Sequence, residues 1–179
     1  MTSFTPTLLT DKTRLQEIYD LRVLSWENSE QKEYVNKHYF PNGWFDKLDD
    51  DAYHFIIEDN CKIIASSRIC IVNDINEIEE NFSQFSLPNQ RPLAFFSRLV
   101  VHPNYRGKNI SKLMDEIRLN FIKTNNIYFS IAYSNVPQRI ESLSNYGFME
   151  LGEMYHTYGG NLKVDIDTAL IVMLRDIKI

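Results

Sequence analysis

The sequence predicts one mixed α/β (α+β) domain, and three observations carry that prediction. Short runs rich in apolar and β-branched residues alternate with stretches whose apolar residues recur at helical spacing. In FFSRLVVHPNYRGKNISKLM, Phe95–Met114, an apolar run gives way to a basic, glycine-containing turn and then to an amphipathic pattern, the mark of strand, loop and helix N-terminus. The 179 residues, 44% hydrophobic and 24% charged, suffice for a single domain over 1–179 with a sizeable core.

The elements follow in order. Thr10 or Asp11 caps a first helix through about Trp26, with Leu15, Ile18, Tyr19 and Val23 on its apolar side. A polar, aromatic-spotted segment holds a short helix near Glu30 to Tyr39 and ends at the turn Pro41-Asn42-Gly43. Tyr53–Glu58 and Lys62–Val72 are strands, with hairpin chemistry at Asp59-Asn60. Asn73–Pro92 is an acidic excursion with a helical turn around Ile75 to Phe82. Leu93–His102 is a strand whose near-continuous apolar character predicts burial on both faces. Asn109–Thr124 is helix, with Ile110, Leu113, Met114, Ile117 and Phe121 on one side, and Tyr128–Ser134 is strand. Val136–Tyr146 is a helix that tolerates Pro137 in its first turn; Gly147-Phe148 stops it and opens a strand through about Thr157. A loop at Tyr158-Gly159-Gly160-Asn161 precedes a last strand, Thr168–Arg175.

Composition excludes several functions. A net charge of −5 argues against generic binding to nucleic acid or to an anionic membrane. No apolar run is long enough to span a bilayer, and MTSFTPTLLTDK lacks the pattern of a signal peptide, so the cytoplasm is the expected location. Cys61 and Cys70 have no metal or redox spacing and read as buried or partly buried thiols; no metal site is expected.

The chemistry-bearing stretch is the turn Tyr105–Asn109. A helix N-terminus leaves backbone N–H groups unpaired, with the positive end of the macrodipole behind them. A basic loop feeding it is a phosphate cradle; the bland alternative is an ordinary turn with solvated Arg106 and Lys108.

VVHPNYRGKNISKLM, followed by a strand and then SNVPQRIESLSNYGF, resembles the GNAT acyltransferase superfamily. The signature loop of that family, Arg/Gln-x-x-Gly-x-Gly/Ala, corresponds to Arg106-Gly107-Lys108-Asn109-Ile110-Ser111. The resemblance implies a mostly antiparallel central sheet flanked by helices, with the family's strands 4 and 5 splayed at an acyl-CoA site. It implies acetyl-CoA or another acyl-CoA as co-substrate: the pyrophosphate on the amides of Gly107, Lys108, Asn109, Ile110 and Ser111, and the pantetheine arm along Leu99, Val100 and Val101. The thioester would lie near Ser134 and Asn135.

The N-terminal half, with YDLRVLSW, WFDKLDDDAYHFII, SSRI and FFSRLVV, is similar to the autoinducer-synthase and N-acyl amino acid synthase branch. Arg22, Asp46, Asp49, Arg68 and Arg98 fall on that branch's recurrent charged positions, which implies either substrate contacts or an ion-pair network under the first helix.

The chain departs from the family at four places. Asn109 stands where glycine is usual, and Asn is well tolerated at φ > 0. Ser111 replaces Gly or Ala. Leu143 stands where many relatives have a Tyr acid, and Phe95 where the branch has a Glu base. Tyr146, a helical turn from Leu143, is a candidate acid or a core side chain; Ser134, Glu141, Asp46, Asp49 and His54 are candidate bases, each with a structural alternative. His102, at a strand end before Pro103, reads as structural.

The function these readings favour is N-acyl transfer, most simply N-acetylation, from acyl-CoA to a primary amine by direct attack in a ternary complex. One alternative is an N-acyl amino acid or acyl-homoserine lactone synthase-like enzyme using acyl carrier protein. The other is a non-catalytic acyl-CoA-binding module. The expected partner is a small-molecule amine, with acyl carrier protein on the second reading; homodimer formation stays open.

Overall fold

The computed structural model describes residues 4–30, 32–78, 80–154 and 170–176. Its strands are β1 (Thr7–Leu8), β2 (Tyr53–Asp59), β3 (Lys62–Val72), β4 (Leu93–Val101), β5 (Phe129–Ser134), β6 (Met149–Met154) and β7 (Leu170–Asp176); its α-helices are α1 (Leu15–Glu27), α2 (Ile110–Thr124) and α3 (Pro137–Asn145). They form a mixed sheet in the order β1-β2-β3-β4-β5-β7-β6. β4 and β5 are parallel, joined through α2 as a crossover, while β1–β2, β2–β3, β5–β7 and β6–β7 are antiparallel. The chain divides into two compact units, one built from Met1–Ile69 and Arg98–Asn120, the other from Cys70–Ser97 and Phe121–Ile179.

In the first unit the Asp11 carboxylate accepts the Thr13 N–H, and a 3₁₀ turn at Lys12–Arg14 leads into α1. Ile18 and Leu21 of α1 pack with Ile56, Ile63 and Val100 into a core. The β2–β3 hairpin turns on Asn60 (φ 49°) and Cys61 (φ 62°), two left-handed residues as a tight twisted turn requires. Cys61 is exposed there, where the sequence predicts a buried or partly buried thiol, and Cys70 is buried.

Among the described residues the short helix expected near Glu30 to Tyr39 is not found; residues 32–39 form turns and bends. The Asn36 side chain accepts the N–H groups of His38 and Tyr39, and Glu27 takes that of Lys37. Side chains that bind nearby backbone in this way compete with the helical ladder. Gly43 (φ 86°) then brings the chain against α1, where any Cβ would lie 2.6 Å from that of Tyr19.

In the second unit β4 pairs with β5 from Leu93↔Phe129 to Phe96↔Ala132, where the parallel ladder ends. The burial expected along the whole of β4 holds for Leu93–Phe96 and gives way to half-buried residues from Ser97 to Leu99. The acidic excursion contains 3₁₀ turns at Ile75–Glu77 and Glu80–Gln84, where the sequence predicts a helical turn. Phe82, Phe95 and Tyr133 form an aromatic cluster with centroids 5.5–6.0 Å apart. α3 starts at Pro137 and ends at Asn145, stopped by Gly147 (φ 85°), whose N–H bonds the Ser144 carbonyl while that of Phe148 bonds the Leu143 carbonyl, the two capping bonds of a glycine stop. The loop expected at Tyr158–Asn161 and the residues up to 169 lie outside the described residues. Among those described, no helix is long and apolar enough to cross a membrane, and no three His, Cys, Asp or Glu side chains are grouped to hold a metal ion.

Candidate functional site

The loop before α2 is built by local bonds of the first unit. His102 ends β4, its N–H donating to the Ile64 carbonyl and its Nδ1 accepting the Asn104 N–H. Pro103–Tyr105 is one 3₁₀ turn, and the Tyr105 hydroxyl donates to Asp59 at 2.6 Å. Gly107 (φ 75°) and Asn109 (φ 58°) are both left-handed. Asn at this position therefore adopts the backbone that glycine would supply, and nothing lies within 4 Å of where a Gly107 side chain would begin. The Leu113 N–H makes the bond that opens α2, to the Asn109 carbonyl, so the amides of Ile110, Ser111 and Lys112 precede the ladder. Gly107, Lys108, Asn109 and Ser111 are exposed and Ile110 is buried as an anchor.

The Arg106 side chain turns to the end of α1. Its guanidinium donates to the carbonyls of Ser25 and Asn28, both at 2.6 Å, and so satisfies the end of α1. The loop's remaining cation is Lys108, whose Nζ sits 4.7 Å from the Tyr105 ring centroid. The loop thus offers exposed residues and open space ahead of the α2 ladder, while Arg106 serves the scaffold.

Arg22, Asp46, Asp49, Arg68 and Arg98 do come together, in a buried network of the first unit. Arg22 binds Asp49 through both terminal nitrogens and also donates to the Trp44 carbonyl at 3.0 Å. Arg68 Nη1 bridges Asp46 (2.6 Å) and Asp49 (2.9 Å), and Arg98 Nη2 donates to the second oxygen of Asp46 at 2.6 Å. The two aspartates also cap the 3₁₀ turn Lys47–Asp49 reciprocally. Burial alone would raise both carboxyls, but Arg98 and Arg68 hold Asp46, and Arg22 and Arg68 hold Asp49, below the usual carboxylate range. Burial pushes the His54 imidazole down, and its Nε2 lies 3.1 Å from the Asp49 carbonyl oxygen.

The remaining candidates belong to the second unit. Ser134 is buried and its hydroxyl oxygen accepts the Val136 N–H at 3.1 Å. Asn135 and Tyr146 are half-buried, the Tyr146 carbonyl accepting Arg175 Nε, and Glu141 is exposed on α3. Leu143 and Phe95, at the positions where relatives carry proton-transfer groups, are each 1% exposed and sit in the core.

Sequence reading missed Trp44. The Arg98 guanidinium lies over its ring, 3.8 Å from the centroid. The signal available was an aromatic residue two positions before Asp46 in WFDKLDD, which charge patterning alone passes over.

A family model described as "Acetyltransferase (GNAT) family" matches residues 15–136. Among solved structures, the CoA-dependent acyl-homoserine lactone synthase BjaI is similar with a TM-score of 0.71 at 13% identity, over 98% of this chain and 84% of its own. The N-acyl amino acid synthase FeeM from uncultured soil microbes gives 0.65 at 12% identity, over 99% and 92%. The ribosomal-protein-S18-alanine N-acetyltransferase of Escherichia coli gives 0.66 at 14%, over 99% and 96%. At such identities these likenesses show the fold. A tRNA (cytidine(56)-2′-O)-methyltransferase of Methanococcus maripaludis is 36% identical over 70 residues, and the match spans 38% of either chain.

Proposed function

The chain belongs to the acetyltransferase (GNAT) family, and from that premise we propose that it is an N-acyltransferase, moving an acyl group from acyl-CoA to a primary amine. Residues 1–179 are read as one acyltransferase domain working in the cytoplasm. The observation that carries the reading is the exposed turn Gly107–Ser111, left-handed at Gly107 and Asn109 and opening onto unladdered α2 amides. The amides of Gly107 to Ser111 would hold the pyrophosphate, with Lys108 beside them, and the strand segment Leu99, Val100, Val101 would take the pantetheine arm and supply N–H donors to a developing oxyanion. Asn135 is assigned to the donor on the resemblance alone.

Bound acyl-CoA supplies a thioester whose thiol leaves readily. The amine attacks the carbonyl carbon, the C–N bond forms, the C–S bond breaks, and the ammonium proton must leave. A primary amine is neutral in roughly one molecule per thousand at pH 7, so a base or a desolvating site is required. The leaving thiolate, with an intrinsic pKa of about 8.5, is stable enough to depart without an acid, which makes Leu143 compatible with turnover; with Phe95 at the position of the branch's base, the amine must lose its proton to another group or be neutral when it binds. Orientation of amine and thioester supplies a large share of the acceleration. Ser134, Glu141 and Tyr146 are the candidate proton carriers.

Isothermal titration of CoA and acetyl-CoA against the wild type and Gly107→Asp tests the reading. Saturable binding that the new carboxylate abolishes is expected; equal binding by both proteins overturns the cradle. Thiol release over an amine panel then separates an enzyme from an acyl-CoA-binding module.

The network of Arg22, Asp46, Asp49, Arg68 and Arg98 favours a second reading, an N-acyl amino acid or acyl-homoserine lactone synthase-like enzyme fed by acyl carrier protein. New N-acyl amines in lipid extracts of overexpressing cells, seen by mass spectrometry, would support it.

A further inference from the structure

Arg98 is a non-glycine residue at φ 54° within β4. An L-residue avoids this left-handed conformation, and one that keeps it is held there by its surroundings. The surroundings are explicit. The guanidinium lies 3.8 Å over the Trp44 ring, its Nη2 is 2.6 Å from Asp46 Oδ2, and its side chain is 11% exposed. Both holding groups are themselves fixed. The Trp44 N–H donates to the Tyr19 carbonyl at 3.1 Å and its carbonyl accepts Arg22, at a place where Gly43 lets the chain reach α1. The Asp46 carboxylate is shared with Arg68 and caps the turn that follows it. The Arg98 Nε is buried with no hydrogen-bond partner, so the head group is seated by stacking and one charged bond.

We infer that Arg98 is a positioning residue: gripped by Trp44 and Asp46, its side chain holds β4 in the left-handed kink that sets the direction of the Leu99–Val101 main chain, and it contacts neither donor nor acceptor. The catalytic part of this inference rests on the acyl-CoA reading, because Leu99–Val101 are the residues assigned there to the pantetheine arm and oxyanion. The grip itself is a property of the free protein. Two of the three arginines in the network, Arg22 and Arg68, hold Asp49, so removing Arg98 removes the grip on β4 and leaves the buried pairs intact.

Three variants of the full chain test this: Arg98→Ala, Arg98→Gly and Asp46→Asn. Hydrogen exchange of peptides covering 99–101, without ligand, should rise by about tenfold in Arg98→Ala, which loses the grip and keeps the strain, and by clearly less in Arg98→Gly, for which positive φ carries no strain. Asp46→Asn, which keeps the shape and removes the charge, should fall between wild type and Arg98→Ala and covers the case in which Arg98→Ala does not fold. In turnover, kcat of Arg98→Ala should drop by about tenfold or more with both KM values nearly constant, and Arg98→Gly should recover much of it. Unchanged exchange in both Arg98→Ala and Asp46→Asn overturns the inference. So does a large rise in acceptor KM at constant kcat, which would mean that Arg98 binds the acceptor directly. A wild type that binds no CoA defeats the acyl-transfer reading, while the exchange comparison still decides the grip.

Discussion

Asp49 receives both terminal nitrogens of Arg22, at 2.9 and 2.8 Å, and neither side chain is more than 1% exposed. Removing one member of such a pair strands a buried charge, which typically costs about 3–5 kcal/mol. Asp49→Asn should therefore lower stability by that order in urea denaturation with a similar m-value. A loss of less than about 1 kcal/mol, the range of exposed pairs, would show that the network relaxes into water.

His54 gives stability a pH dependence above the carboxylate range. Its folded pKa lies below the ordinary value of about 6.5, so the unfolded chain takes up the proton first as pH falls. Stability should decline as pH drops below about 6.5 and flatten once the folded imidazole also protonates. The lowered carboxyls of Asp46 and Asp49 contribute stability that is complete above about pH 4 and lost below it. Denaturation midpoints across pH 8 to 3 should show both declines, and His54→Gln should erase the upper one alone.

Arg106→Ala should cost about 1 kcal/mol of stability, because the carbonyls of Ser25 and Asn28 lose their donor at the C-terminal end of α1. CoA affinity should change much less, since the guanidinium faces α1. A large affinity loss at unchanged Tm would place the side chain on the ligand.

Asn109→Gly should keep CoA binding, while Asn109→Val should weaken it by roughly tenfold, because a β-branched residue resists the φ of 58° seen there. Titration of the two variants side by side reads this directly. Equal affinity would mean that the turn does not need the left-handed residue to hold its ligand.

What the sequence disclosed was local. Gly147 announced the end of α3 because few other residues take the φ that a helix stop needs, and Asn60 announced the β2–β3 turn for a related reason. The family loop was likewise legible because its chemistry lies in consecutive backbone. Residues 32–39 misled because Asn36 and Glu27 take up amides that a helix would have used. The kink at Arg98 had no local sign at all: its partner Asp46 lies 52 positions away, and an arginine in an apolar strand gives no reason to expect a positive φ. The direction of the Arg106 side chain was hidden too, since only the fold brings the end of α1 beside it.

Trp26 and Trp44 are the two tryptophans of the sequence, and their rings meet edge to face at 5.1 Å, with the Arg98 guanidinium seated on Trp44. Ultraviolet emission from the indoles thus originates at one spot, against a cation whose departure would alter its intensity and colour. The molecule carries its own optical gauge of that contact, without any label. A spectrum that moves on adding an amine or a thioester reports motion at β4 and α1, and one that stays still assigns the event to another part of the chain.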